Sequence, residues 1–343
     1  MSFNIENRRY IGNKSKLNDW IMQIIRANTE NAFSFCDIFA GTGTIANQAL
    51  KELSAATGTL KPRYNKVIIN DLLYSNHTIY NAFCAQGQFS MPKLQSMLDE
   101  WNAADITSTN WFSNSYGGKY FDNEVAKKIG YVREQIECAK AYLTPKEYHI
   151  LLASLIYSID KLANTVGHFE AYIKNTSPKN ILQLQLVNAQ SFDNVEIHQE
   201  DSNLLARKIQ SDIVYIDPPY NSRQYSRFYH VYETLVKWDK PELFGVARKP
   251  APENMSEYCS SRAYNALKDL VEHLQTKYIV LSYNNTYNSR SKSSQNKITL
   301  EQIQTLLQDK GDTQVFTHQY NAFNTGKTNL TDHKEYLFFT TVQ

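Results

Sequence analysis

Four consecutive residues, Asp217-Pro218-Pro219-Tyr220, carry the clearest chemistry in this 343-residue sequence. They follow residues 212–216, a short apolar run of the kind that forms a buried strand. Two prolines directly after a strand fix φ twice and remove two N–H donors, which leaves the Pro218 carbonyl and the Asp217 carboxylate as acceptors. Such a pair suits an exocyclic amine. The lone pair of an amino group on a purine is delocalised into the ring, and two acceptors gripping its hydrogens can turn that pair toward an electrophilic methyl group. Positioning of this kind is a large catalytic lever. Tyr220, set rigidly behind the prolines, offers an aromatic face to a base lifted out of its helix, a contact of roughly 1–3 kcal/mol. The plain alternative is a proline-stiffened turn that closes a strand.

A second candidate is Asp37-Ile38-Phe39-Ala40-Gly41-Thr42-Gly43. Gly41 and Gly43 stand where a strand turns into a helix, so the backbone can approach a ligand closely and aim free amides at an anionic group. Ala46 occupies the place of the third glycine of a dinucleotide fingerprint, so tight packing on a pyrophosphate is not indicated. S-adenosylmethionine carries a carboxylate and no phosphate, and does not need that glycine. Asp71, at the end of the next apolar run, is placed to accept hydrogen bonds from ribose hydroxyls. Taken alone the loop also reads as an ordinary structural turn.

The elements that must hold these residues follow from the apolar pattern. Residues 32–39, 66–70, 212–216 and 278–282 read as buried strands, and residues 44–53 as a helix. Ligands of open α/β sheets collect at the carboxyl ends of the strands, so strands ending at Asp37, Asp71 and Asp217 point to one site. Residues 314–319 and 335–341 lack a helix-length connection and read as an antiparallel edge pair. Between Leu72 and about Val195 the pattern changes. Residues 91–101, 123–142 and 145–164 read as helices separated by an aromatic, glycine-rich turn at 111–120, which makes residues 73–195 an inserted helical module within a domain of residues 1–72 and 196–343.

Composition excludes several classes. With 42% hydrophobic residues the chain can bury one large core or two smaller ones, and disorder should not dominate. Cys36, Cys84, Cys138 and Cys259 lack the paired spacing of a zinc site or a disulfide framework, so no metal is expected and a reducing cytoplasm fits. The polar opening at residues 4–9 and the absence of a run of membrane-spanning length point to a soluble chain without membrane contact. A net charge of +2 names no partner by itself. Acid-free stretches carrying Lys174 and Lys179, and Arg290 and Lys292, are nevertheless suited to a polyanion.

On these residues the chain resembles the alpha group of adenine-N6 DNA methyltransferases, the Dam-like family of restriction-modification systems. The motif order agrees: Tyr10-Ile11-Gly12-Asn13-Lys14 opens the chain, the glycine loop follows, and the tetrapeptide comes after an insert. The resemblance implies a Rossmann-like methyltransferase fold using S-adenosylmethionine, with Tyr10, Gly12, Lys14, Asp37, Phe39, Gly41, Gly43, Asp71 and Asp201 at the cofactor. It implies Asp217, Pro218, Pro219 and Tyr220 as the catalytic group, base flipping with direct in-line transfer, and the helical insert as target-recognition domain. Double-stranded DNA is the implied substrate, with a cognate restriction endonuclease acting separately.

Several residues keep a bland alternative. The segment around Tyr10 also reads as a basic N-terminal turn, and Asp201 as a helix cap. Arg223, Tyr225 and Arg227, with Tyr229 and His230, form a basic and aromatic cluster suited to phosphates, or an amphipathic helix with inward tyrosines. His168 reads as a packed histidine. Ser282-Tyr283-Asn284 reads either as support for the catalytic loop or as a solvated turn. Rival functions are an RNA amino-methyltransferase, a cytosine-amine methyltransferase and a non-catalytic nucleic-acid-binding subunit of the same fold.

Overall fold

A computed structural model describes residues 2–53, 63–173, 181–286, 295–319 and 334–343. The chain forms two compact units. A helical unit comprises Met1–Asn13, Leu73–Ile197 and Tyr225–Glu253, and a sheet unit comprises Lys14–Leu72, His198–Gln224 and Asn254–Gln343.

The strands are β1 (Ser34–Asp37), β2 (Lys66–Asn70), β3 (Val195–His198), β4 (Ile213–Ile216), β5 (Tyr278–Asn284), β6 (Gly311–Gln319) and β7 (Lys334–Val342). They make one seven-stranded sheet in the order β3-β2-β1-β4-β5-β7-β6. Strand β1 runs parallel to β2 and β4, and β4 parallel to β5, whereas β7 runs antiparallel to β5 and β6. The expected mostly parallel α/β sheet with an antiparallel C-terminal pair therefore forms, with β7 placed between β5 and β6. Strand β3 is not anticipated from the sequence, because its four residues are half-buried or exposed and give no apolar run.

All four residues of β4 are buried, as are Phe35, Cys36 and Asp37 of β1, which is why these strands read as near-continuous apolar stretches. The sheet unit also carries α1 (Asn18–Asn28), α2 (Thr44–Leu53), α8 (Ser202–Ala206), α11 (Ala263–His273) and α12 (Leu300–Gln308). Ile38, Val214, Ile216, Leu267, Leu281 and Ile303 share one hydrophobic core. Buried Asn70 ties the strand ends together. Its Nδ2 donates to the carbonyls of Ile38 (3.0 Å) and Glu200 (3.1 Å), and its Oδ1 accepts from the Glu200 amide at 3.2 Å.

The helical unit holds α3 (Tyr74–Cys84), α4 (Met91–Ala103), α5 (Trp111–Tyr116), α6 (Asn123–Ala139), α7 (Pro145–Asp160), α9 (Tyr225–Phe228) and α10 (His230–Lys237). Thr144 and Glu147 form a capping box that starts α7, with Pro145 in the first turn where its missing N–H is harmless. The aromatic run expected as a turn at 111–120 is instead the short helix α5 and a following turn, with Phe112, Tyr116 and Tyr120 fully buried. Three large rings gain more from burial than an exposed glycine-rich loop would return. Buried Arg133 donates to the carbonyls of Leu235 (2.7 Å) and Val236 (3.3 Å), closing the end of α10.

Candidate active site

Strand order reverses between β1 and β4, and the space beyond the carboxyl ends of two such strands is the usual ligand position of an open α/β sheet. Asp37 closes β1 on one side of it, opposite Tyr215 in the register, and Asp217 leaves β4 on the other.

Asp37 is 1% exposed. Its Oδ2 accepts from the Ala46 amide at 3.2 Å, while Oδ1 is buried without a hydrogen-bond partner among the described residues. Burial, reinforced by Asp217 and Asp71, pushes its carboxyl well above the ordinary carboxylate range. Gly41 (φ 54°) and Gly43 (φ 75°) adopt the left-handed conformation that a side chain disfavours, which lets the turn between β1 and α2 fold back tightly. Asp71 accepts from the Gly41 amide at 2.9 Å and so braces this turn from the end of β2. Phe39 packs edge-on against Tyr258 at 5.0 Å. Asp201 caps α8, its Oδ1 accepting from the amides of Asn203 (2.9 Å) and Leu204 (3.3 Å).

Asp217 sits in a network of charged and phenolic groups. The Lys14 ammonium lies 3.2 Å from its Oδ1, 2.8 Å from Oε1 of Glu335 and 2.6 Å from the Tyr220 hydroxyl. The Tyr220 hydroxyl is a short donor to Asp217 Oδ1 and also reaches Glu335 Oε1 at 3.1 Å. Burial pushes the Asp217 carboxyl up to about 6, with Lys14 pulling it down and Glu335 adding to the rise. For Lys14, burial pulls the ammonium down, but Asp217 and then Glu335 outweigh it and the net shift is upward. The Asp217 side chain keeps 18% exposure, so a substrate group can reach it. Pro218 is buried and Pro219 half-buried.

Tyr220 is held edge-on to Tyr283, ring centroids 4.6 Å apart, and the Tyr283 hydroxyl donates to the Tyr220 carbonyl at 3.4 Å. Ser282 and Tyr283 are fully buried near the end of β5, so they do not form a solvated turn, and Tyr283 packs against the loop that carries Tyr220. Glu335 was not singled out from the sequence. Its signal is slight: an acid heading the apolar run Tyr336 to Phe339, where a solvated strand start is the ordinary reading.

The opening motif divides between the units. Lys14 belongs to the sheet unit and to the network above, whereas Tyr10 and Gly12 belong to the helical unit. There Tyr10 stacks on Tyr229 (4.6 Å, 6° between planes) and on Tyr225 (5.3 Å, 27°), with the Arg8 guanidinium 4.9 Å from its ring centroid. Gly12 has φ 79°, and a Cβ there would stand 3.3 Å from the Tyr225 hydroxyl. Of the polyanion candidates, Arg223 is half-buried in the sheet unit. In the helical unit the Tyr225 hydroxyl donates to the Ile11 carbonyl at 3.3 Å and Arg227 to the Pro250 carbonyl at 2.7 Å. His168 stacks on Phe228 at 4.1 Å. Lys174, Lys179, Arg290 and Lys292 lie outside the described residues.

Comparison with known proteins addresses the same residues. The family described as D12 class N6 adenine-specific DNA methyltransferase matches residues 10–298, a span that holds the glycine loop and the tetrapeptide. The modification methylase LlaI of Lactococcus lactis subsp. lactis is 28% identical over 348 residues, covering 94% of this chain and 52% of its own length. The modification methylase StsI of Streptococcus sanguinis is 31% identical over 299 residues, covering 81% of this chain and 44% of its own. The type II methyltransferase M.NlaIII of Neisseria lactamica is 29% identical over 339 residues and is covered, like this chain, to 95%. The chain thus spans about half the length of the first two relatives and nearly all of the third. A match across most of the chain, on a sheet whose switch point brings Asp37 and Asp217 together, places this protein in the D12 class family of N6 adenine-specific DNA methyltransferases.

Proposed function

We propose that this chain methylates the N6 amine of adenine in double-stranded DNA, using S-adenosylmethionine as donor and taking the adenine out of the duplex. The observation that carries the reading is the Asp217 carboxylate, partly exposed at the switch point of the sheet and held by Lys14 and the Tyr220 hydroxyl.

The residues present fit the donor. The unpartnered Oδ1 of Asp37 lies buried among acids, beside a turn whose glycines allow close approach, and such a carboxylate is completed by a cationic or hydrogen-donating ligand. Asp37, Gly41, Gly43, Phe39, Asp71 and Asp201 are the residues that would hold it. S-adenosylmethionine supplies an electrophilic methyl group on a sulfonium centre and carries an ammonium besides.

The protein's own part is positioning. Among the described residues, both partners of the Asp217 carboxylate meet Oδ1, so Oδ2 is the oxygen assigned to the substrate amine. With the Pro218 carbonyl as second acceptor, the two amine hydrogens are held in the plane of these oxygens and the nitrogen lone pair is turned out of the ring system. The carboxylate is also the nearest base for the proton that the methylated nitrogen must shed. The Tyr220 ring, fixed by its hydroxyl and by Tyr283, gives the flipped base a stacking surface.

We assign base reading to the helical unit and phosphate contacts to Arg223, Tyr225 and Arg227. A separate endonuclease reading the same site is the expected partner in a restriction-modification pair. No helix among the described residues is long and apolar enough to cross a membrane, and a cytoplasmic location suits a DNA substrate. The test is incubation of the purified chain with duplex DNA and a methyl-labelled donor, followed by sequencing with modified-base detection. N6-methyladenine at a defined site, lost in Asp217→Ala, is the expected result; label in RNA or on cytosine overturns it.

A further inference from the structure

Glu335 lies outside residues 10–298, the stretch that matches the family, yet it is built into the support of the tetrapeptide. It stands near the start of β7, 3% exposed, opposite Asn284 of β5 in the antiparallel register. Burying a carboxylate there is costly unless it is paired and hydrogen-bonded. Its Oε1 meets three donors: Lys14 Nζ at 2.8 Å, Ser282 Oγ at 3.0 Å and the Tyr220 hydroxyl at 3.1 Å. Lys14 and Tyr220 are also the groups that engage Oδ1 of Asp217. Two carboxylates therefore share one ammonium and one phenol, and the single phenol proton can satisfy only one of them at a time.

We propose that Glu335 is a positioning residue for Asp217, holding Lys14 and the Tyr220 hydroxyl so that they occupy Oδ1 and leave Oδ2 directed to the substrate amine. The assignment rests on the methylation reading above. Without the Glu335 carboxylate, Lys14 has Asp217 as its remaining acid among these groups. The ammonium then closes onto that carboxylate and competes with the amine for it. The Tyr220 ring loses the second anchor of its hydroxyl at the same time. Groups facing Asp217 come from several elements: Lys14 from the segment before α1, Asp37 from β1, Tyr215 from β4, Tyr220 from its own loop and Glu335 from β7. Among them Lys14 lowers the Asp217 carboxyl and Glu335 raises it, so removing each charge should move the acid side of the rate profile in opposite directions.

The experiment uses full-length wild type, Glu335→Gln and Glu335→Ala, with kcat against pH, KM for S-adenosylmethionine and for duplex DNA, and melting temperature for each. For Glu335→Ala we expect kcat to fall ~10- to 100-fold with both KM values within ~3-fold of wild type. Glu335→Gln keeps an acceptor oxygen and the side-chain size, so it should recover part of that kcat while its acid limb moves to lower pH by about half a unit or more. Wild-type kcat and an unmoved acid limb in both variants overturn the proposal. So does loss of folding in both, or a defect confined to KM, since either marks a merely structural role. If the wild-type chain itself makes no methyladenine, the methylation reading fails, an outcome separate from active wild type with indifferent Glu335 variants.

Discussion

The Lys14 ammonium lies 3.2 Å from Oδ1 of Asp217, although one residue precedes the first helix and the other follows the fourth strand. This ion pair works against burial, which pushes the Asp217 carboxyl up to about 6. As an acceptor for an amine the group must be ionised. Methylation at saturating donor and DNA should therefore fall as pH drops through about 6 and level off above it. Lys14→Met removes the cation that lowers the carboxyl, so its midpoint should lie higher than that of wild type. Initial rates between about pH 5 and 8 check both statements. A Lys14→Met midpoint equal to or below the wild-type value contradicts the role given to this pair.

The two parts of the Tyr220 side chain separate in a pair of variants. Tyr220→Phe keeps the ring and removes the hydroxyl that meets Asp217, Lys14 and Glu335. Tyr220→Ala removes the stacking surface as well, worth roughly 1–3 kcal/mol per base. We expect kcat/KM to fall about 10-fold in the first and at least ~100-fold in the second. Asp217→Ala should cost ~100- to 1,000-fold or more in kcat, the scale of losing one preorganised polar group. Equal rates for the phenylalanine and alanine variants exclude stacking on this ring.

Asp37 offers a test in which stability and binding move apart. Burial holds its carboxyl in the folded chain well above the ordinary carboxylate range, so the protonated form favours folding. That stabilisation is lost as pH rises from the unfolded value through the raised folded one. Asp37→Asn stays neutral at every pH and should melt a few degrees higher than wild type near neutrality. The same change removes the anion facing the donor, and affinity for S-adenosylmethionine should drop ~10-fold or more. Differential scanning calorimetry and titration calorimetry read the two effects. A variant that melts lower and binds normally contradicts this account.

Asn70 carries a stability prediction independent of chemistry. Asn70→Leu preserves volume but strips partners from the Ile38 carbonyl and from both backbone groups of Glu200. Each buried polar group left unmatched costs about 1–3 kcal/mol, so a total loss of about 2–5 kcal/mol is expected. Urea unfolding with an unchanged m-value measures it. A loss below about 1 kcal/mol means that water replaces these bonds at no cost.

Much of the framework of the candidate site is legible along the chain, because a strand buried on both faces leaves an apolar run and the loop after it leaves glycines or prolines at its end. Asp37, Gly41, Gly43 and Asp217 stand out on that ground, as do β1, β2, β4 and β5. The antiparallel C-terminal pair is readable from the shortness of its connection. Strand β3 is not, since its half-exposed residues carry no periodic signal. Asp201 shows how one residue type serves two readings: at sequence level it is a helix cap or a ligand, and the coordinates place its Oδ1 at the cap of α8.

What the amino-acid order determined by itself was the set of strand ends and the identity of the groups standing on them, since both depend on neighbours within a few positions. Only the tertiary structure decided that Glu335 joins Lys14, Tyr220 and Ser282, and that Tyr10 stacks with Tyr225 and Tyr229 in the helical unit while Lys14 goes to the sheet unit. The reason is register. Whether Glu335 faces the core or solvent depends on how β7 aligns with β5, and a slip of one residue would turn every side chain of that strand to the other face.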